Sequence, residues 1–242
     1  MDRSVLTRSA PEPDRTLRYG DAPEHVADAW LPGAARHPLL VFIHGGYWTP
    51  EYDRTHTRPL ATALREDGWP VVSIEYRRVP GKPDDLVADV RAALAELPGQ
   101  LGAREVVLAG HSAGGHLALW ASSVCPPPGL LGTLALAPVA DLMLAHRLGL
   151  GDGAVAAFLG GPPDERADLD PVRMAAPERP VVLVHGAEDG LPVAVSESYV
   201  DTHPVAKLVV VPDAAHFEVI DPLSAAWPAV TTELAGLAAL SS

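Results

Sequence analysis

The sequence predicts an α/β chain, with a mostly parallel sheet flanked by helices on both faces and one short cap insertion. Three observations lead there. Short runs of branched apolar residues recur without polar alternation, as strands buried on both faces require. Segments with apolar residues at helical spacing separate these runs, and alternation of strand and helix builds an open sheet. No linker divides the 242 residues, which suit one domain with a sizeable core.

Residues 1–16 are polar and contain proline, so a loose, flexible tail is expected there, with the domain proper over 17–242. The clearest strand run is Leu39 to Ile43, and Val71 to Ile74 is of the same kind. Leu60, Ala63 and Leu64 mark a short helix that ends near Gly68. Leu86, Val90, Ala93, Leu94 and Leu97 lie on one face of a longer helix, with Pro83 in its first turn and Gly99 beyond its end. Strands follow at Val106–Ala109, Leu131–Leu136, Val181–Val184 and Leu208–Val211. From Pro222 onward, Leu223, Trp227, Val230, Leu234 and Leu237 predict a terminal helix that Pro228 kinks or splits. The segment 142–180 contains no convincing strand and is rich in Gly, Pro and Asp. It reads as a small cap, because loops at the carboxyl ends of parallel strands line the ligand crevice.

Composition excludes several classes. Eighteen Lys and Arg against 31 Asp and Glu give a net charge of −13, which repels phosphate backbones and argues against nucleic acid. Cys125 is the single cysteine, so no internal disulfide, redox pair or zinc knuckle can form. The stretch MDRSVLTRSAPEPDR has no apolar run behind its charges and does not read as a secretory signal. No stretch is long and apolar enough to suggest a membrane span. A cytoplasmic protein is the default expectation, a small molecule its partner, and a homodimer is compatible with it.

The chemistry concentrates in Gly110-His111-Ser112-Ala113-Gly114-Gly115. This G-x-S-x-G pattern sits between a buried strand and a helical pattern, where a sharp turn lifts the serine hydroxyl above the sheet edge. The turn leaves the Ala113 amide at a helix N-terminus, free to bind an oxyanion. His44-Gly45-Gly46-Tyr47-Trp48 follows another strand, and its paired glycines let backbone amides approach a substrate closely. Gly45, Gly46 and Tyr47 are the candidate donors opposite Ala113. Serine needs a base and a group that orients it. Among the ten histidines, His216 lies just past the last strand, and Asp189 just past Val181–Val184, both at the edge expected for Ser112. Glu188 is the competing acid. Tyr47, Trp48 and His111 are candidate pocket residues, and His44 and His185 are expected to brace their glycine turns. No H-E-x-x-H or phosphate-loop pattern occurs, so neither metal nor cofactor is expected.

These residues resemble the α/β-hydrolase superfamily from about Leu17 to Leu240. The order Ser112, Asp189, His216 matches its triad order. Within it, HGGYW looks like the HGGxW motif of the kynurenine formamidase (arylformamidase) branch, and His216-Phe217-Glu218-Val219-Ile220-Asp221-Pro222 is similar to that branch around its histidine. Tyr47 stands where hormone-sensitive-lipase-like esterases carry a third glycine. The resemblance implies a triad of Ser112, Asp189 and His216, an oxyanion hole from the glycine loop and Ala113, and an aryl formamide such as N-formylkynurenine as substrate. The alternatives are a short-chain carboxylesterase, an acyltransferase, and a hydrolase-fold binding protein without turnover.

Overall fold

A computed structural model describes residues 2–241. Eight strands form one sheet: β1 (Arg15–Arg18), β2 (Val26–Trp30), β3 (Leu39–Ile43), β4 (Val71–Ile74), β5 (Val106–His111), β6 (Leu130–Leu136), β7 (Val181–Gly186) and β8 (Lys207–Val211). Their spatial order is β1-β2-β4-β3-β5-β6-β7-β8. From β4 to β8 every pairing is parallel, whereas β1 and β2 add an antiparallel edge. Strands β3 to β7 are buried along their whole length, as their unbroken apolar runs require.

Among the described residues, seven α-helices accompany the sheet: α1 (Arg58–Glu66), α2 (Pro83–Gln100), α3 (Ala113–Val124), α4 (Leu142–Arg147), α5 (Ala154–Leu159), α6 (Ala194–Thr202) and α7 (Trp227–Ala238). They cover both faces. One apolar core gathers Leu86, Val90 and Leu94 of α2 with Leu117 and Ala121 of α3. A separate core joins Leu60 and Leu64 of α1 to Val230, Leu234 and Leu237 of α7. Alternate residues of β3 divide between them: Leu39, Val41 and Ile43 face the first, Leu40 and Phe42 the second.

Several sequence expectations are corrected. β1 and β2 were not anticipated: β1 is four residues with three exposed, and β2 carries the polar Asp28 in its middle. The segment 1–16, expected as a loose tail, is ordered in part. Ser4–Leu6 forms a 3₁₀ turn, Val5 is 2% exposed, and Arg8 Nη2 donates to Asp221 Oδ2 at 2.7 Å. The terminal helix starts at Trp227 instead of being kinked, because Pro228 occupies its first turn, where no amide hydrogen is needed. Helix α2 runs past Pro98 and Gly99 to Gln100.

The segment 142–180 contains no strand. It is built from α4, α5 and 3₁₀ turns. Two aspartates hold its start: Asp141 accepts from the Leu144 amide at 2.7 Å, and Asp170 from the Leu142 amide at 3.0 Å. Among the described residues, no helix is long and apolar enough to cross a membrane.

Candidate active site

Ser112 links β5 directly to α3. Its backbone takes φ 55° and ψ −118°, a conformation that L residues rarely adopt. The surroundings leave no alternative path. A Cβ on Gly110 would lie 2.1 Å from the Gly114 carbonyl oxygen, and one on Gly114 would lie 2.1 Å from that of Ile43. Glycine at these two positions lets α3 press against the ends of β3 and β5. The Ser112 amide donates to the Leu136 carbonyl at 2.8 Å, which ties the turn to β6. Ala113 is the first residue of α3, so its amide has no intrahelical acceptor.

The loop after β3 is also strained. Gly46, Tyr47 and Trp48 have φ values of 120°, 54° and 57°. An added Cβ on Gly45 would lie 3.0 Å from Ser112 Cβ, so backbone runs past the serine where a side chain would block it. His44 braces the loop from below. It is fully buried, its Nδ1 donates to the Gly45 carbonyl at 2.7 Å, and its ring stacks on Tyr76 at 4.5 Å. Burial and the neighbouring Arg78 guanidinium lower its pKa to about 3. Its Nε2 lies between Glu75 Oε1, at 3.1 Å, and Arg78 Nη1, at 3.3 Å. Arg78 is in turn paired with the buried Glu75, which also accepts from the Arg54 amide at 3.2 Å. Sequence reasoning missed this ion pair, whose members both lie in the segment just after β4.

His216 follows β8, and its Nδ1 donates to Asp189 Oδ2 at 2.8 Å. The Asp189 side chain is 0% exposed and also accepts from the Leu191 amide at 2.7 Å. His185 Nε2 lies 3.4 Å from the same carboxylate. Burial alone would raise the Asp189 pKa, but hydrogen bonds from His185 and His216 outweigh it and hold the carboxyl well below its ordinary value. The competing acid, Glu188, is exposed, and its amide is used by the Ala214 carbonyl. Of the two acids, Asp189 is the one bonded to His216. His185 braces its turn as expected, through Ser196 Oγ at 2.8 Å and the Leu191 carbonyl at 2.9 Å.

Ser112, Asp189 and His216 meet at one cleft of about 180 Å³. Tyr47 and Trp48 line it, with Leu150, Val155 and Phe217 opposite. No hydrogen bond joins Ser112 to His216 here, a looseness common in sites without substrate. Trp48 stacks on Phe158 at 4.6 Å and is 3% exposed, so it is both wall and packing. The segment 142–180 contributes directly: Gly151 leaves room for the Tyr47 ring, which lies 2.7 Å from where its Cβ would be.

On the other side of Ser112 is a recess of about 20 Å³, bounded by Gly45, Gly46, Tyr47, Tyr52 and His111. His111 therefore lines the recess and not the larger cleft. Its Nε2 donates to the His216 carbonyl at 2.9 Å, which pins the His216 backbone to the elbow. His116 faces away, donating to the Leu169 carbonyl. Arg3 and Phe217 at the cleft were not anticipated. Phe217 could have been suspected as the neighbour of His216, whereas nothing in the sequence marks Arg3.

Parallel order, antiparallel edge, helices on both faces and a strained serine elbow together define the α/β-hydrolase fold. Comparison with known proteins agrees: residues 40–149 match the model of a family described as having the alpha/beta hydrolase fold. The "Probable carboxylic ester hydrolase LipM" of Mycobacterium tuberculosis is 35% identical over 119 residues, covering 43% of this chain and 27% of LipM. Esterase LipC of the same organism is 31% identical over 124 residues, 47% of this chain and 30% of LipC. These matches span less than a third of each relative. Among solved structures, esterase B from Lactobacillus rhamnosis superposes with a TM-score of 0.78 at 22% identity, over 96% of this chain and 88% of that one.

Proposed function

We propose that this chain is a serine hydrolase of small carboxylic esters, working through an acyl-enzyme on Ser112. The observation that carries the reading is the buried Asp189 carboxylate bonded to His216 Nδ1, beside a cleft that Ser112 shares. With Nδ1 occupied, His216 Nε2 is the atom free to take the serine proton. Ser112 Oγ then attacks the carbonyl carbon, and the amides of Ala113 and the Gly45–Gly46–Tyr47 loop hold the oxyanion. Collapse expels the alcohol, which receives its proton from His216. Water, deprotonated by His216, attacks the acyl group and frees Ser112. These steps are written with protein groups, the ester and water alone.

The esterase relatives favour an ester over the aryl formamide suggested by HGGYW. The formamide stays as a second reading because the recess beside Ser112, about 20 Å³, suits hydrogen or methyl on the acyl carbon, while Tyr47 and Trp48 offer an aromatic wall to the rest. The test is covalent labelling by a fluorophosphonate, lost in Ser112→Ala, followed by kcat/KM for p-nitrophenyl acetate, butyrate and octanoate and for N-formylkynurenine. Acetate should lead. Absence of labelling would end the serine reading, and a formamide faster than any ester would replace ester by formamide.

A further inference from the structure

The segment from Asp2 to Arg8 folds back over the catalytic edge and is fastened at two points. Val5 is buried in the core beside Leu60 and Leu64, and Arg8 pairs with Asp221. Leu6, between them, borders the recess beside Ser112. The same fastening carries Arg3 to the larger cleft, which it lines. Its guanidinium carbon sits 5.6 Å from the Phe217 ring centroid, and that ring meets His216 edge-on at 5.1 Å.

Two features of Arg3 call for an occupant. No ion pair or side-chain hydrogen bond engages it among the described residues, although the chain carries 31 acidic residues and ion-pairs the loop arginines Arg8, Arg77, Arg78 and Arg166. Among the described residues it is also the one Lys or Arg lining the cleft, whose single acid, Asp189, is already bonded to His216. A guanidinium laid over an aromatic face keeps its N–H groups pointing outward in its own plane, the geometry that receives a carboxylate.

We infer that Arg3 is a specificity-determining residue: it holds a carboxylate carried by the part of the substrate that fills the larger cleft. The inference rests on the esterase reading above and names its substrate class, an acid ester with a short acyl group and an apolar body ending in an anion. Arg3 is exposed, so the gain is modest, about fivefold in kcat/KM at low ionic strength, and it shrinks as salt screens the pair.

The test uses two isosteric aryl acetates, 4-acetoxybenzoate and 4-acetoxybenzamide, with wild-type protein, Arg3→Gln and Arg3→Glu. Wild-type should prefer the carboxylate about fivefold, Arg3→Gln should bring the ratio near one, and Arg3→Glu should invert it. The readout is the ratio of the two kcat/KM values within each protein, not either rate alone. A wild-type ratio near one, or a ratio that both variants leave unchanged, overturns the role of Arg3. Failure of wild-type to hydrolyse either ester would instead strike the esterase reading, so the two failures are distinct.

Discussion

Asp189→Asn tests the assigned acid, and its effect follows from one hydrogen bond outside the triad. Asp189 Oδ1 accepts from the Leu191 amide at 2.7 Å, while Oδ2 accepts from His216 Nδ1 at 2.8 Å. An asparagine that keeps the Leu191 bond must place its oxygen there, which turns its NH2 toward His216. The imidazole then has to accept at Nδ1, so its proton moves to Nε2, facing Ser112, and the base is lost. Backbone positions need not change, because Asn and Asp have the same shape. The expected loss in kcat is about 10⁴, close to 5.5 kcal/mol of barrier, with KM nearly unchanged. The assay is p-nitrophenyl acetate hydrolysis, with circular dichroism confirming the fold and Glu188→Gln as control. Activity within tenfold of wild-type, or an equal loss in Glu188→Gln, would refute the reasoning.

Other outcomes follow from the same geometry. Ser112→Ala and Ser112→Gly should both abolish turnover, but Gly should unfold later, by about 1 kcal/mol or roughly 2–4 °C, because only it relieves the φ of 55°; equal melting temperatures would remove the strain argument. Gly114→Ala should cost about 3 kcal/mol or more in urea unfolding, since its Cβ would lie 2.1 Å from the Ile43 carbonyl oxygen; a loss below about 1 kcal/mol would show that α3 moves freely. Burial, reinforced by Asp141, raises the Asp170 pKa to about 6. The folded carboxyl thus holds its proton more tightly than the unfolded one at about 3.9, and stability falls as pH climbs from about 4 to about 6. Relative to Asp170→Asn, wild-type should lose up to about 3 kcal/mol across that window; parallel stability curves would contradict it.

The parts of this molecule that were legible in the sequence are those fixed by local physics. The Ser112 elbow is readable because a buried strand, a turn and a helix each demand particular residues within a dozen positions. Asp189 and His216 were reachable because their strands end within a few residues of them. The edge strands β1 and β2 were not, since four or five residues with polar members carry too little periodicity to identify. Residues 2–8 have the composition of a tail, and only the distant partners of Val5 and Arg8 order them. Arg3 and the Glu75–Arg78 pair were invisible for the same reason: their significance lies in neighbours that only the folded chain supplies.

Strain in this fold is distributed in one place. Among the described residues, six besides glycine have positive φ: Tyr47, Trp48, Ser112, Ala137, Asp152 and Asp213. Five follow β3, β5, β6 or β8 at the carboxyl edge, and the sixth lies in the segment 142–180 beside Gly151 and the Tyr47 ring. Each such residue costs on the order of 1–3 kcal/mol, so an unconstrained chain would relax away from them. Hydrogen bonds to neighbouring strands oppose it, such as Ser112 to the Leu136 carbonyl and Ala137 to that of Val184, both 2.8 Å. In the mechanism proposed above, the sheet is the rigid base that would hold the loop amides and the Ser112 hydroxyl in place before substrate arrives. Preorganisation of this kind is what oxyanion stabilisation requires, because donors already in place need no rearrangement as charge develops.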